Sequence, residues 1–304
     1  MRCFDAVGLG QCSLDHICCV SRYPDADVKC EVSEFSVLGG GAVATAMVTL
    51  QRLGLKTSFL GKIGTDTAGA AIAEGLEEEG VDISSLVRAQ GRTSQTAFIV
   101  VEERKATRTI FWTSGTAFPI SPGEVDLSVI GNARFLHLDA LNIEVSLKAA
   151  EYAGKISIPT MVDTGTFRKE TVPLLPLLDY VVVGQGFARG FAGTDDIEQS
   201  LRAMAQYGAK MVCITLGEKG SAAFVNGRVY HQKAFPVNVV DTTGCGDAFH
   251  GGLIYGILQE WPAERQLEFA SAVAALKCRA MGGRAGLPTV SEVEEFLREK
   301  RGES

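Results

Sequence analysis

DTTGCGDAFHGG, residues 241–252, sets four glycines around one carboxylate, Asp247. The apolar run FPVNVV (235–240) before it reads as a strand, and AFHGGLIYGILQ (248–259) after it reads as a buried helix rich in small residues. A strand, a glycine-rich turn and a helix start, in that order, are the repeating unit of parallel α/β sheets. The same alternation runs outward along the chain. FDAVGL (4–9), SFLGKI (58–63), RFLHL (134–138), PTMVD (159–163), YVVVG (180–184) and MVCITL (211–216) read as buried strands. Between them lie amphipathic helical stretches such as AVATAMVTLQRLG (42–54), AGAAIAEGLEEEG (68–80), EVSLKAAEYAG (144–154) and IEQSLRAMAQYG (197–208), many ending at glycine. The expected fold class is α/β, a largely parallel central sheet with helices on both faces.

Two segments break the rhythm. From about 16 to 38 and from 92 to 113, stretches such as SQTAFIVVEE and ATRTIFW alternate with period two and no helix follows, as in an antiparallel strand pair. They are expected to form a small β-sheet lid over the ends of the main strands, where open α/β sheets bind ligands. With 304 residues, and with neither an internal repeat nor a low-complexity linker, the chain is expected to form one domain, 1–304, carrying both lid segments.

Composition narrows the partners. The residues are 46% hydrophobic and 21% charged, which suits a globular core, and the formal charge of -7 disfavours nucleic acid, whose binding surfaces are basic. No apolar run approaches the ~20 residues that cross a bilayer, and the N-terminal MRCFDAVGLG lacks the apolar core of a signal peptide. A cytoplasmic protein without membrane partners is expected. Eight cysteines without a CxxC pair are expected to be reduced thiols, mostly buried. The four histidines show no ligand spacing, so no protein-held metal is expected. GLGQCS imitates a dinucleotide fingerprint, but its last glycine is Ser13 and LDHICCV follows it like a strand.

The N–H groups that open a helix, with the positive end of its dipole, make an anion site, and GCG keeps that backbone accessible. A carboxylate there repels an anion unless it has a task. Accepting a proton from an attacking hydroxyl, beside donors that stabilise a transferred phosphoryl group, is such a task. On the residues alone, Asp247 could equally cap the helix while the glycines shape a turn.

DTTGCGDAFHGG closely resembles the C-terminal signature of the ribokinase family, the PfkB carbohydrate kinases, where D-T-x-G-A-G-D precedes a small-residue helix; only the alanine differs, here Cys245. GQCSLDHI (10–17) is similar to the family's strand end whose Asp binds sugar hydroxyls, which maps to Asp15. VLGGGAVATAMVTLQRLG (37–54) resembles its second glycine motif, with Gly39, Gly40 and Gly41 beside the sugar. ITLGEKGS (214–221) matches its T-x-G-x-x-G nucleotide segment at Thr215, Gly217 and Gly220, and FASAVAALKC with GGRAGLP looks like its adenine border and monovalent-cation loop.

The resemblance implies a ribokinase-like three-layer fold with a β lid, dimerisation through that lid, and ATP-dependent phosphorylation of a sugar's primary hydroxyl. It makes Asp247 the base and the N–H groups of Gly244, Cys245 and Gly246 the anion hole, with Thr243 on the nucleotide side. ATP, Mg2+ held mostly through waters, and a monovalent cation such as K+ are the implied cofactors.

The chain departs from the pattern in places. Gly184 and Phe187 stand where many members carry N-x-x-E, and Ala44 stands where an asparagine usually reaches the sugar. GGGAVATA and GGRAGLP look most like the ketohexokinase and sulfofructose-kinase side of the family. An anionic substrate would call for a cation in the lid pocket, with Lys29 the first candidate and Arg108 and Arg168 others; Leu141 holds the place where a second arginine would be sought. A neutral ketose is therefore favoured. Trp112 could stack on the sugar or anchor the lid to a second subunit. Cys245, at a helix N-terminus, could have a lowered pKa and be open to oxidation, or simply stand in for alanine. Two rivals remain: a nucleoside kinase on the same scaffold, with Phe111 and Trp112 lining a base slot, and a sugar-sensing protein without turnover.

Overall fold

A computed structural model describes residues 3–104 and 107–302; residues 105 and 106 of the second lid segment lie outside it. The strands are β1 (Ala6–Leu9), β2 (Ser13–Val20), β3 (Glu34–Gly40), β4 (Thr57–Leu60), β5 (Lys62–Gly64), β6 (Val87–Ala89) and β7 (Thr96–Glu102). They continue as β8 (Thr107–Thr113), β9 (Leu136–Asp139), β10 (Thr160–Thr164), β11 (Tyr180–Gly184), β12 (Met211–Thr215), β13 (Ser221–Val225) and β14 (Arg228–Gln232). The helices are α1 (Ala42–Arg52), α2 (Thr67–Glu78), α3 (Ile143–Lys155), α4 (Gln185–Ala192), α5 (Ile197–Ala205), α6 (Cys245–Leu258), α7 (Ala263–Lys277) and α8 (Val290–Arg301).

The main sheet has the order β14-β13-β12-β11-β10-β9-β1-β4, parallel from β12 to β4 and antiparallel at the β12-β13-β14 end. Side chains alternate across it, as strands buried on both faces require. Val182 joins α1, α6 and α7 in one core, whereas Val181 and Val183 join α3, α4 and α5 in the other. The expected three-layer α/β architecture is thus present. Among the described residues no helix is long and apolar enough to cross a membrane.

The smaller sheet, β3-β2-β7-β8, is built from the two segments that broke the rhythm. Its outer pairs are antiparallel, but the central pair β2·β7 is parallel, because each segment folds as its own hairpin and the two then dock side by side. The first hairpin also starts earlier than expected, at Ser13, and runs to Gly40. Ile17, Cys19, Ala97, Ile99 and Val101 form a third core with Met281, which fixes this sheet over the main one.

Three local expectations fail. FPVNVV forms no strand: Pro236 has no donor for a ladder, Val239 and Val240 stay exposed, and Phe235, Val237 and Val239 line a cavity. SFLGKI divides at Gly61, β4 staying in the main sheet while β5 pairs with β6. The cysteines are less buried than expected: Cys12, Cys19 and Cys213 are buried, Cys3 and Cys30 exposed, and the others intermediate. The β13–β14 hairpin turns at Asn226 and Gly227, both at positive φ, which is the Asn-Gly hairpin signal.

Candidate active site

The turn before α6 is held from both sides. The Asp241 carboxylate accepts from the Thr243 amide (2.9 Å) and hydroxyl (2.8 Å) with one oxygen, and from the Gly282 amide (2.8 Å) with the other. This clamps the turn to the 282–288 loop. Gly244 is left-handed (φ 76°), and a Cβ there would lie 2.7 Å from the Gly283 Cα, so only glycine fits. The Ala248 amide then opens α6 on the Gly244 carbonyl at 2.9 Å. Among the described residues no acceptor engages the amides of Gly244, Gly246 or Asp247, while the Cys245 amide makes a long turn bond to the Thr242 carbonyl (3.3 Å). Three free donors at a helix start form an anion cradle, with Cys245 the less available of the residues expected there.

Asp247 stands in the first turn of α6, its own amide being one of the three. Burial pushes its carboxyl up to about 7, Asp163 and Asp15 add to the rise, and His250 and Lys277 oppose it. The carboxyl is thereby poised to exchange a proton near neutrality. Asp163, at the end of β10, is raised by burial and eased by His250. His250 presents Nδ1 to the Gly246 carbonyl (2.8 Å) and to Asp163 (3.4 Å), and Nε2 to the Val182 carbonyl (3.3 Å). It therefore links α6 to β10 and β11.

On the side of the smaller sheet, Asp15 is buried on β2 and accepts from the Ser13 hydroxyl at 2.7 Å. Burial raises its carboxyl, against Ser13 and Arg284. A side chain at Gly40 would overlap the Asp15 carboxylate, and one at Gly39 the Arg284 guanidinium, so the glycine motif lets three elements meet. Gly41 follows as the cap of α1. Strand register puts Trp112, through Ala97, in the same row and on the same face as Asp15, so the exposed indole overhangs the cleft. Phe111 points to the opposite face. Arg108 shares the face of Trp112 and donates to the Thr242 hydroxyl, reaching the anion turn from β8.

Lys29 is exposed in the β2–β3 loop and enters none of these contacts. Arg168 lines a cavity of about 140 Å³ with Leu141, Asp139 and Asp163. Asp139, buried, is pushed up to about 6 by burial, while the amides of Leu141 (3.0 Å) and Gln11 (2.7 Å) donate to it and hold it down.

On the far side of the turn lies a cavity of about 480 Å³, lined by Thr215, Gly217, Gly220, Thr242, Cys245, Gly246, Phe249 and Ala275. Its largely apolar wall and its opening onto the free amides suit a flat base with a phosphate tail. Thr243 is corrected here: its polar atoms are committed to Asp241, and its neighbour Thr242 lines the cavity instead. Cys245 is also corrected. Its thiol is pushed up, not down, because it shares a hydrogen bond with Cys278 and is buried.

Asp163, His250, Lys277 and Arg284 were missed as site residues. For Asp163 the signal existed, since it ends the strand PTMVD and ligands gather at the carboxyl ends of parallel strands. Gly184 ends β11, and Phe187 is fully buried in the core, so neither can contribute to a metal network. Among the described residues no group of three or more His, Cys, Asp or Glu side chains is arranged to hold a metal.

The family model described as pfkB family carbohydrate kinase matches residues 5–290. A 5-dehydro-2-deoxygluconokinase of Clostridium botulinum is 28% identical, the alignment covering 99% of this chain and 94% of that protein. A ribokinase of Haemophilus influenzae is 27% identical over 95% of this chain and 97% of its own. The structure of Arabidopsis thaliana ribokinase complexed with ribose and ATP superposes with a TM-score of 0.83 at 25% identity, covering 97% of this chain and 99% of that one.

Proposed function

Because this chain belongs to the pfkB family of carbohydrate kinases, we propose that it transfers the γ-phosphoryl group of ATP to the primary hydroxyl of a small sugar at Asp247. The observation that carries this reading is the setting of Asp247: a carboxyl raised to about 7 by burial with Asp163 and Asp15 nearby, in the helix turn that carries three free amides and borders a nucleotide-sized cavity. The sugar lies between Asp15 and Asp247. Asp15 accepts hydrogen bonds from its hydroxyls, and Asp247 takes the proton of the attacking one. The amides of Gly244, Gly246 and Asp247 stabilise charge on the moving phosphoryl group, and Arg108 approaches the same turn from above.

Mg2+ neutralises phosphate charge when bound. Asp163, the carboxylate that bears most strongly on Asp247, would meet its water shell. The GGRAGLP loop carries its own buried cation, Arg284, which donates to the Gly40 carbonyl at 2.9 Å, while Lys277 at the end of α7 donates to the Asp241 carbonyl at 2.9 Å, so no monovalent cation is included in the reading.

For the sugar, a neutral ketose is favoured. Arg168 shares its cavity with two carboxylates that offset its charge, and hydroxyls suit that mixture better than an acid group. Asp15→Asn should raise the KM for the sugar about 10- to 100-fold, as expected for losing charge-assisted hydrogen bonds, with ATP binding within about threefold. An unchanged sugar KM would remove Asp15 from the pocket. A panel of sugars and nucleosides screened for ATP consumption tests the reading as a whole, and turnover of nucleosides alone would favour the rival.

The outer face of the smaller sheet exposes Phe35 (61%), Phe98 (55%) and Phe111 (54%), with His16 stacked on Phe98. A second copy of this chain is proposed to cover it. Sedimentation should give a dimer for the wild type and a monomer for Phe98→Glu; a monomeric wild type at micromolar concentration ends that proposal.

A further inference from the structure

The thiols of Cys245 and Cys278 lie 2.7 Å apart. One opens α6 beside the free amides, and the other caps the C-terminus of α7. Both line the cavity assigned to the nucleotide, so a small oxidant entering that cavity meets both sulfurs. The Cys278 carbonyl also accepts from the amides of Val240 (2.8 Å) and Asp241 (3.3 Å), which ties its backbone to the chain entering the anion turn.

We propose that Cys245 and Cys278 are a reversible dithiol–disulfide pair whose oxidation by hydrogen peroxide closes the nucleotide site. The contact needs only a small approach to reach the ~2.05 Å of a disulfide. The two sulfurs also divide the labour that such a reaction needs. Cys278 is held below the ordinary thiol range, first by its hydrogen bond with Cys245 and then because Lys277 and Arg108 face it, against its burial. The contrast with other thiols is sharp: burial pushes Cys12 and Cys213 up to about 12.

The chemistry balances. The Cys278 thiolate attacks one peroxide oxygen, the O–O bond breaks, and a sulfenic acid forms while the second oxygen leaves as hydroxide and is protonated to water. The Cys245 sulfur then attacks the Cys278 sulfur, its proton leaves with the sulfenic oxygen as water, and the S–S bond forms. Two thiols have lost two electrons and two protons, and one peroxide has become two waters. The bond ties the first residue of α6 to the end of α7, shifts the wall that both side chains make, and draws in the residue between Gly244 and Gly246. A low-molecular-weight dithiol reverses it by exchange.

The test treats the full-length protein with hydrogen peroxide and reads two quantities. Peptide mapping without reductant should find Cys245 joined to Cys278, with a mass loss of about 2 Da, the two hydrogens given up when one disulfide forms. Binding of a fluorescent ATP analogue should weaken at least about tenfold and return with dithiothreitol. Cys245→Ala and Cys278→Ser, each compared with its own untreated sample, should show no peroxide-dependent change, whereas Cys30→Ser should behave as wild type. Absence of the joined peptide overturns the proposal, and so does a joined peptide with nucleotide binding unchanged. The mapping does not depend on the sugar kinase reading, so a failure there and a failure of that reading are distinguishable.

Discussion

Replacing Asp247 by Asn should lower kcat about 10²- to 10⁴-fold, the range for removing a positioned base, while sugar KM and ATP affinity stay within about threefold. The wild-type rate should rise with pH through about 7, because burial and the neighbouring Asp163 keep the carboxyl protonated below that value. Stability should move the other way. A carboxyl raised in the folded protein favours folding below its unfolded value, and that contribution is lost as pH rises through about 7. Asn carries no such charge, so the variant should be at least as heat-stable as wild type above neutrality. Turnover within tenfold of wild type would show that proton removal by this residue contributes little.

The two glycines of the turn should separate folding from chemistry. Gly246→Ala meets open space, with nothing within 4 Å of the new methyl, and improves a helix position by about 0.5–1 kcal/mol. Gly246 lines the cavity assigned to the nucleotide, so a methyl there takes space the phosphates need, and kcat/KM for ATP should fall about 10²- to 10³-fold with the melting temperature unchanged or higher. Gly244→Ala should lose both. Its left-handed backbone costs a side chain about 1–2 kcal/mol, and the Gly283 backbone cannot move aside cheaply. Kinetics with a thermal melt checks both, and a stable, active Gly246→Ala would mean that the phosphate lies elsewhere.

The parts of this site that were legible in the sequence are those that sit together in the chain. Asp247 and its glycines occupy one short run, and Asp15 lies at the start of a strand, so short motifs that resemble a family's could single both out, although the residues alone left Asp247 open to a capping role. FPVNVV misled because its apolar residues line a cavity instead of a ladder, which composition cannot distinguish. The Asn226-Gly227 turn carried a hairpin signal that was passed over. The contact between Cys245 and Cys278, the approach of Asp163 to Asp247 and the buried ammonium of Lys277 each join distant segments. No spacing rule reaches across such separations, because packing of α6 on α7 and of α6 on the sheet creates them. The parallel pairing of β2 with β7 likewise depended on how two hairpins dock, which period-two alternation leaves open.

The most direct test of the central claim is to follow ATP and the best sugar of the panel by phosphorus and proton NMR. The expected result is one ADP per phosphomonoester, with the new phosphorus coupled to the protons of a CH2 group. ADP formed without a sugar phosphate, or phosphate found on a secondary carbon, would contradict a base and anion cradle built to act on a primary hydroxyl.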